Sequence, residues 1–509
     1  MSIFAREKYK CMGIVIRQSF KATFVNYVGV VLGIFVQFYV VAKYLDPEVL
    51  GLTKVIYEAA LLCSGFAMLS CNSVAMRFFP YFRDPEKHNN GFFFFYLLLP
   101  TVGSILLTGI YLLLKGPVTD YFGKNSALFN EYFYWVIPLM IILTFWQFFE
   151  GYANINMRIA IPKAIREVGM RLFMLVAYLL YGLGYVDVTG LVLSFIVAYG
   201  LCLVMTGTYS LHIGDNSLKH DWSFIKPDLR NKILKYQGFL ILAAISGNIM
   251  NQLDVFMVSG LKGLYMGGIY TMAIYMAAVV EMPSRSITPI SAPLAANAMK
   301  EGNLDEATKL YRNVSLHQFL ASSVLLLVVW INLDAIFALI PNGDTFAAGK
   351  WAVLCLGLAK VINSTLNFGN TLISFSRYYY LTLFISIFIT ALTIGTNLYF
   401  IPLYGLTGAA IATLIACMVT SSCQQVIVQF LLKANPLTWS HLRVVAMVGL
   451  LYALNCLLPS LPINDGSVLM PIADIVMRSV VTGVVGLVLV YVLRVSPQIN
   501  GMLKRFLPW

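Results

Sequence analysis

The chain has 509 residues, 59% of them hydrophobic and 11% charged, with a mean hydropathy of +0.78. Apolar stretches this long and numerous exceed what a soluble core buries, and they read as a polytopic membrane protein. The formal net charge of +12 would suit nucleic acid, but the basic residues lie between apolar runs rather than in one patch, so no nucleic-acid partner is expected.

The first 21 residues carry Arg6, Lys8, Lys10, Arg17 and Lys21 around Ile3, Phe4, Ile14 and Ile16, with no small-residue cleavage site before the first apolar run. They read as an interfacial amphipathic helix or a basic tail rather than a cleaved signal peptide. At about 20 apolar residues per crossing, fourteen spans follow, near 22–43, 50–76, 92–114, 131–153, 164–184, 188–211, 236–259, 266–290, 312–340, 346–372, 379–400, 405–432, 442–459 and 471–493. The runs are continuous rather than alternating, which predicts an all-α fold and not a β-barrel.

With the N-terminus in the cytoplasm, the loop lysines and arginines fall on that side except Lys43, Lys54, Lys115, Lys124, Lys262 and Lys350. This is the positive-inside pattern, and it predicts an even number of spans with both termini cytoplasmic. No predicted loop is long enough for a separate catalytic domain, and no P-loop, G-x-S-x-G or H-E-x-x-H pattern occurs, so no enzyme is expected. The eight cysteines are scattered without C-x-x-C and the five histidines form no ligand pair, so neither metal nor disulfide is expected.

Polar residues inside the spans form stripes. They run through Asn26, Gly29, Gly33 and Gln37 in the first, Glu58, Gly65 and Asn72 in the second, and Gln147, Glu150 and Asn154 in the fourth. Asn248, Asn251 and Asp254 mark the seventh, Glu281, Arg285 and Thr288 the eighth, and Lys360, Asn363, Asn367 and Asn370 the tenth. Polar groups within a bilayer must turn from lipid toward a cavity or a neighbouring helix, so each stripe fits either a polar cavity or interhelical hydrogen bonding. Arg77 and Arg285 lie toward the same end of the second and eighth spans, where guanidinium groups suit an anion, although Arg77 could instead snorkel and Arg285 could pair with Glu281. Lys360 is predicted to face the cavity or to neutralise Glu150. Glu58, Glu150, Asp254 and Glu281 are the candidate carboxylates for coupling to an H⁺ or Na⁺ gradient, and no other cofactor is implied.

The stretch NLYFIPLYGLTGAAIATL predicts a tight turn at Pro402–Gly405 followed by a thin helix that a neighbour can approach closely. It pairs with YVDVTGLVLS: Thr189 and Gly190 precede Thr407 and Gly408 by 218 positions, while Gly51 precedes Gly267, and Gln147 and Asn154 precede Asn363 and Asn370, by 216. Near-constant offsets predict two parallel six-helix bundles, 22–211 and 236–432. A cytoplasmic segment 1–21, a linker 212–235 and a C-terminal helix pair with tail, 433–509, complete the organisation.

The segments IRQSFKATFVNYVGVVLG, YLDPEVLGLTK, NSVAMRFFPYF, NQLDVFMVSG and IPLYGLTGAAIATL together resemble polysaccharide or O-antigen flippases of the multidrug, oligosaccharidyl-lipid and polysaccharide exporter superfamily. The resemblance implies a V-shaped pair of bundles in the bacterial cytoplasmic membrane that moves undecaprenyl-diphosphate-linked oligosaccharide by alternating access. Membrane lipids, glycosyltransferases and a polymerase are the implied partners, and Arg77, Arg285 and Lys360 would hold the diphosphate. A multidrug/cation antiporter would want a more acidic cavity, and a glycan polymerase a large outer loop. A flippase for the peptidoglycan lipid precursor fits the span count equally.

Overall fold

The computed structural model describes residues 28–219, 224, 227–378, 380–459, 468–496 and 498–501. Segment 1–21 and Asn26 lie outside the described residues, and so do the side chains of Asn248 and Asn251. Among the described residues every regular element is helical. The chain divides into two compact units, one ending at Gly268 and the other starting at Ile269.

The first unit contains α1 (Val28–Tyr44), α2 (Pro47–Ala67), α3 (Cys71–Phe82), α4 (Phe92–Leu113), α5 (Val136–Ile155), α6 (Met170–Gly182), α7 (Val188–Ile213), α8 (Pro227–Lys262) and the opening residues of α9 (Leu264–Ala278). The second holds the rest of α9, then α10 (Met282–Lys300), α11 (Leu304–Ile331), α12 (Lys350–Leu366), α13 (Phe368–Phe375), α14 (Leu381–Leu432), α15 (Trp439–Leu457) and α16 (Leu469–Val492).

Among the described residues ten helices are long and apolar enough to cross a membrane, and α1 is a shorter apolar one. The count falls below fourteen for local reasons. α14 covers the two spans predicted at 379–400 and 405–432. The segment at 164–184 is divided into Ala160–Ala164, a π-turn over Ile165–Gly169 and α6. That at 236–259 lies within α8.

Helix ends follow the local chemistry. α2 starts at Pro47, whose missing N–H costs nothing in the first turn. It stops where Leu69 and Ser70 take positive φ, 45° and 57°, and α3 begins one residue later. The Asp187 side chain caps α7 by accepting from the Gly190 amide at 2.7 Å. Within α14, Gly405 at φ 60° breaks the helix three residues after Pro402, a conformation that favours glycine. Beyond the break a Cβ on Gly408 would overlap the Phe400 carbonyl oxygen, and Thr396 Oγ1 donates to the Ala412 carbonyl at 3.5 Å. The predicted tight turn is therefore present, and its glycines serve close backbone approach.

A second close approach joins α2 to the start of α9, both within the first unit. A Cβ on Gly51 would overlap the Leu264 carbonyl oxygen, and one on Gly268 would overlap that of Pro47. The contact is reciprocal, each of Gly51 and Gly268 facing the carbonyl that lies four residues before the other. Gly267 instead packs on Ser259 of α8.

The core of the first unit is aromatic, with Phe82, Phe92, Phe93, Tyr96, Phe148 and Tyr152 interlocking α3, α4 and α5. In the second, Tyr311 is fully buried among α11, α13 and α14, and its hydroxyl lies 3.0 Å from the Leu366 carbonyl and 2.9 Å from Gln425 Oε1.

Candidate functional site

Charged side chains inside helices of this kind cost about 2.5 to 3.5 kcal/mol even on insertion scales, so their partners carry the most information. In the first unit, Glu58 pairs with Lys54 one turn earlier on α2 at 2.6 Å, and both are largely buried. Glu150 on α5 pairs with Arg166 of the π-turn at 3.0 Å, and the Arg166 guanidinium also lies over the Trp146 ring, 5.5 Å from its centroid. One turn further on, Glu167 pairs with Arg171 at 3.2 Å. The glycines of the first stripe make room for this group. A Cβ on Gly29 would come within 2.7 Å of the Glu167 carbonyl oxygen, and one on Gly33 within 2.8 Å of Arg171 Nη1.

The polar stripes of the second and fourth spans meet each other. Asn72 Nδ2 donates to the Gln147 carbonyl at 3.2 Å, Gln147 Nε2 to Ser64 Oγ at 3.0 Å, and the Tyr96 hydroxyl to Asn72 Oδ1. This is interhelical hydrogen bonding across the break between α2 and α3. Asn154, at the other end of the fourth stripe, is exposed. Gln37 is half-buried in the π-turn of α1, with Oε1 unpaired among the described residues. Asp254 is half-buried on α8. Arg77 is exposed on α3, its guanidinium 4.2 Å from the centroid of the Tyr236 ring on α8.

In the second unit the charges converge. Glu281 ends a 3-10 turn, Val279–Glu281, that hands over to α10 with Pro283 in its first turn. Its Oε2 lies 2.8 Å from Lys360 Nζ on α12 and 3.8 Å from Arg285 Nη2 one turn along α10. Lys360 thus has Glu281 as its partner, and Glu150 has Arg166, which replaces the Lys360–Glu150 pairing considered from sequence. Glu281 is 22% exposed, Lys360 36% and Arg285 66%. Two cations therefore share one carboxylate, and the outer one is open. Along α12 and α13, Asn363 is half-buried, Asn367 lies exposed at the break between the helices, and Asn370 Oδ1 is buried and unpaired among the described residues.

A further pair lies outside the residues singled out from sequence. On α16, Arg478 Nε lies 2.8 Å from Asp474 Oδ2, with Asp474 only 2% exposed, and Arg478 Nη1 donates to the Asn455 carbonyl at 3.2 Å. Asn455 in turn donates to Thr482 Oγ1 at 2.9 Å. The i, i+4 spacing inside an apolar run was the available signal.

No protein-family model and no curated protein matches the sequence. Solved structures do. The chain is similar to the lipid II flippase MurJ in an inward closed conformation, with TM-score 0.69 and 12% identity over 91% of this chain and 98% of that one. An inward-facing multidrug resistance MATE transporter of the MOP superfamily gives TM-score 0.63 and 16% identity over 84% and 95%. A mutant of the Vibrio cholerae MATE transporter VcmN gives 0.57 and 13% over 84% and 98%. The fold is the one these transporters share. The likeness is one of fold alone and does not single out the polysaccharide branch named from the sequence motifs.

Proposed function

We propose that the chain is a flippase that carries a diphosphate-linked glycolipid across the membrane by alternating access, with undecaprenyl-diphosphate-linked oligosaccharide as substrate. The observation that carries this reading is the cluster in the second unit, where Arg285 and Lys360 share the single carboxylate of Glu281. A net positive, part-exposed group suits a dianionic diphosphate and repels the organic cations that an antiporter would take. Arg77, already seated on Tyr236, is a separate candidate guanidinium within the first unit. Asn363, Asn367 and Asn370 of the tenth span line the path of the head group, and alternating access opens that path to either side. Both termini are cytoplasmic in the bacterial inner membrane.

A cation gradient drives the cycle through Glu58, Glu150, Asp254 or Glu281, and at Glu58, Glu150 and Glu281 the exchange competes with a basic neighbour. The fold similarity to the lipid II flippase favours a second reading with the same chemistry, in which the peptidoglycan lipid precursor is the cargo. The test is flipping in proteoliposomes, using a fluorescent undecaprenyl-diphosphate disaccharide and, in parallel, a fluorescent organic cation. Arg285→Ala should abolish flipping of the glycolipid, and Arg285→Lys should impair it nearly as much, because an ammonium cannot grip a diphosphate bidentately. Uptake of the cation with no glycolipid movement would reverse the assignment.

A further inference from the structure

Within the first unit, α3, α4 and the N-terminal part of α8 enclose a half-open cavity of about 180 Å³. Phe78 and Phe82, Phe95 and Leu98, and Ile233 and Leu234 contribute to its apolar walls, and Arg230 is the single charged residue lining it. Leu98 and Leu234 are exposed. A void open to hydrocarbon does not stay empty, since its walls forfeit dispersion contacts that a neighbouring chain restores, and walls this apolar do not hold water.

The cavity has a charged end and an end crossed by a hydrogen bond. At the first, Arg230 is followed on α8 by exposed Lys232 and Lys235, with Asp228 the single acid nearby on that helix. At the other end Gln237 Nε2 reaches across to the Leu69 carbonyl at 3.4 Å, at the break between α2 and α3. The stretch lined on each helix, Phe92 to Leu99 and Arg230 to Gln237, is about 12 Å long at ~1.5 Å per residue, within the roughly 15 Å that one leaflet contributes to a ~30 Å hydrocarbon core.

We propose that this cavity seats one acyl chain of an anionic phospholipid, with Arg230 holding the phosphate, so that a bound lipid forms part of the packing between α8 and α3–α4. The lined length matches the part of one acyl chain that lies within a single leaflet. The leaflet is the cytoplasmic one on the loop-charge topology. The inference needs the chain only to span a membrane and stands apart from what it transports.

The test uses the full chain in nanodiscs containing phosphatidylglycerol with a mid-chain diazirine, and labelled residues are mapped by mass spectrometry. Labelling should concentrate at Phe95, Leu98 and Leu234. Arg230→Gln should lower it about fivefold, the effect of one surface cation on an anionic lipid. Leu234→Trp, at an exposed position where folding is spared, should block the mouth and abolish it, while labelling of α16 stays constant as an internal reference. Equal labelling by the phosphatidylcholine analogue, or unchanged labelling in both variants, would overturn the proposal. Displacement of the label by undecaprenyl phosphate would also overturn it, giving the cavity to a polyprenyl chain. None of these readouts depends on transport.

Discussion

The reciprocal contact between α2 and α9 permits a sharp test. Gly51 and Gly268 each face a backbone carbonyl of the other helix, those of Leu264 and Pro47, so that a Cβ on either would overlap backbone rather than a side chain that can turn aside. Overpacking of this kind costs about 1 to 3 kcal/mol, against a gain of about 1 kcal/mol from replacing glycine by alanine within a helix. Gly51→Ala and Gly268→Ala should therefore each destabilise by roughly 0 to 2 kcal/mol. Gly449→Ala on α15, where a Cβ meets nothing within 4 Å, should stabilise by about 1 kcal/mol, leaving each close-packed alanine about 1 to 3 kcal/mol below it. Because either alanine already forces the helices apart, the double variant should cost less than the sum of the singles by about 1 kcal/mol. Thermal unfolding in detergent, followed by tryptophan fluorescence, measures all four proteins on one scale. If Gly51→Ala proved as stable as Gly449→Ala, or the two alanines were additive, the close approach would be refuted.

Two further outcomes follow from the ion pairs. Lys360→Met and Glu281→Gln, combined in a double-mutant cycle, should show a coupling of about 1 to 2 kcal/mol, between the near-zero value of surface pairs and the ~3 to 5 kcal/mol of buried ones, because both groups are partly exposed. A coupling indistinguishable from zero would make the contact inert. Arg478→Met, which strands a carboxylate that is 2% exposed, should cost about 3 to 5 kcal/mol, and adding Asp474→Leu should recover most of it; a still larger loss in the double variant would argue that the pair does more than neutralise itself.

What could be read beforehand divides along the range of the interactions. The all-helical fold follows from the length of apolar runs, and the break at Gly405 from a proline and glycines in series, so both were legible, whereas the count of fourteen spans was not. The pairs Lys54–Glu58, Arg285–Glu281 and Arg478–Asp474 are i, i+4 contacts, equally open to inspection, although only Arg285–Glu281 is named in the sequence reading. The contacts that give the candidate site its character are of another kind. Lys360 reaches Glu281 from a different helix, and Arg166 reaches Glu150 because a π-turn over Ile165–Gly169 intervenes; no spacing rule yields either. The same limit applies to the stripes, for periodicity shows that Asn72 and Gln147 must turn from lipid, while only packing decides that they turn to each other and that Gly29 and Gly33 yield space to Arg171. Glu281 gathers Arg285 and Lys360 through one local contact and one tertiary contact. The arrangement of two cations on one carboxylate, on which the proposed anionic cargo rests, therefore depends on the packing of the 3-10 turn Val279–Glu281 against α12, and a change in that packing would alter the site without touching any of its three residues.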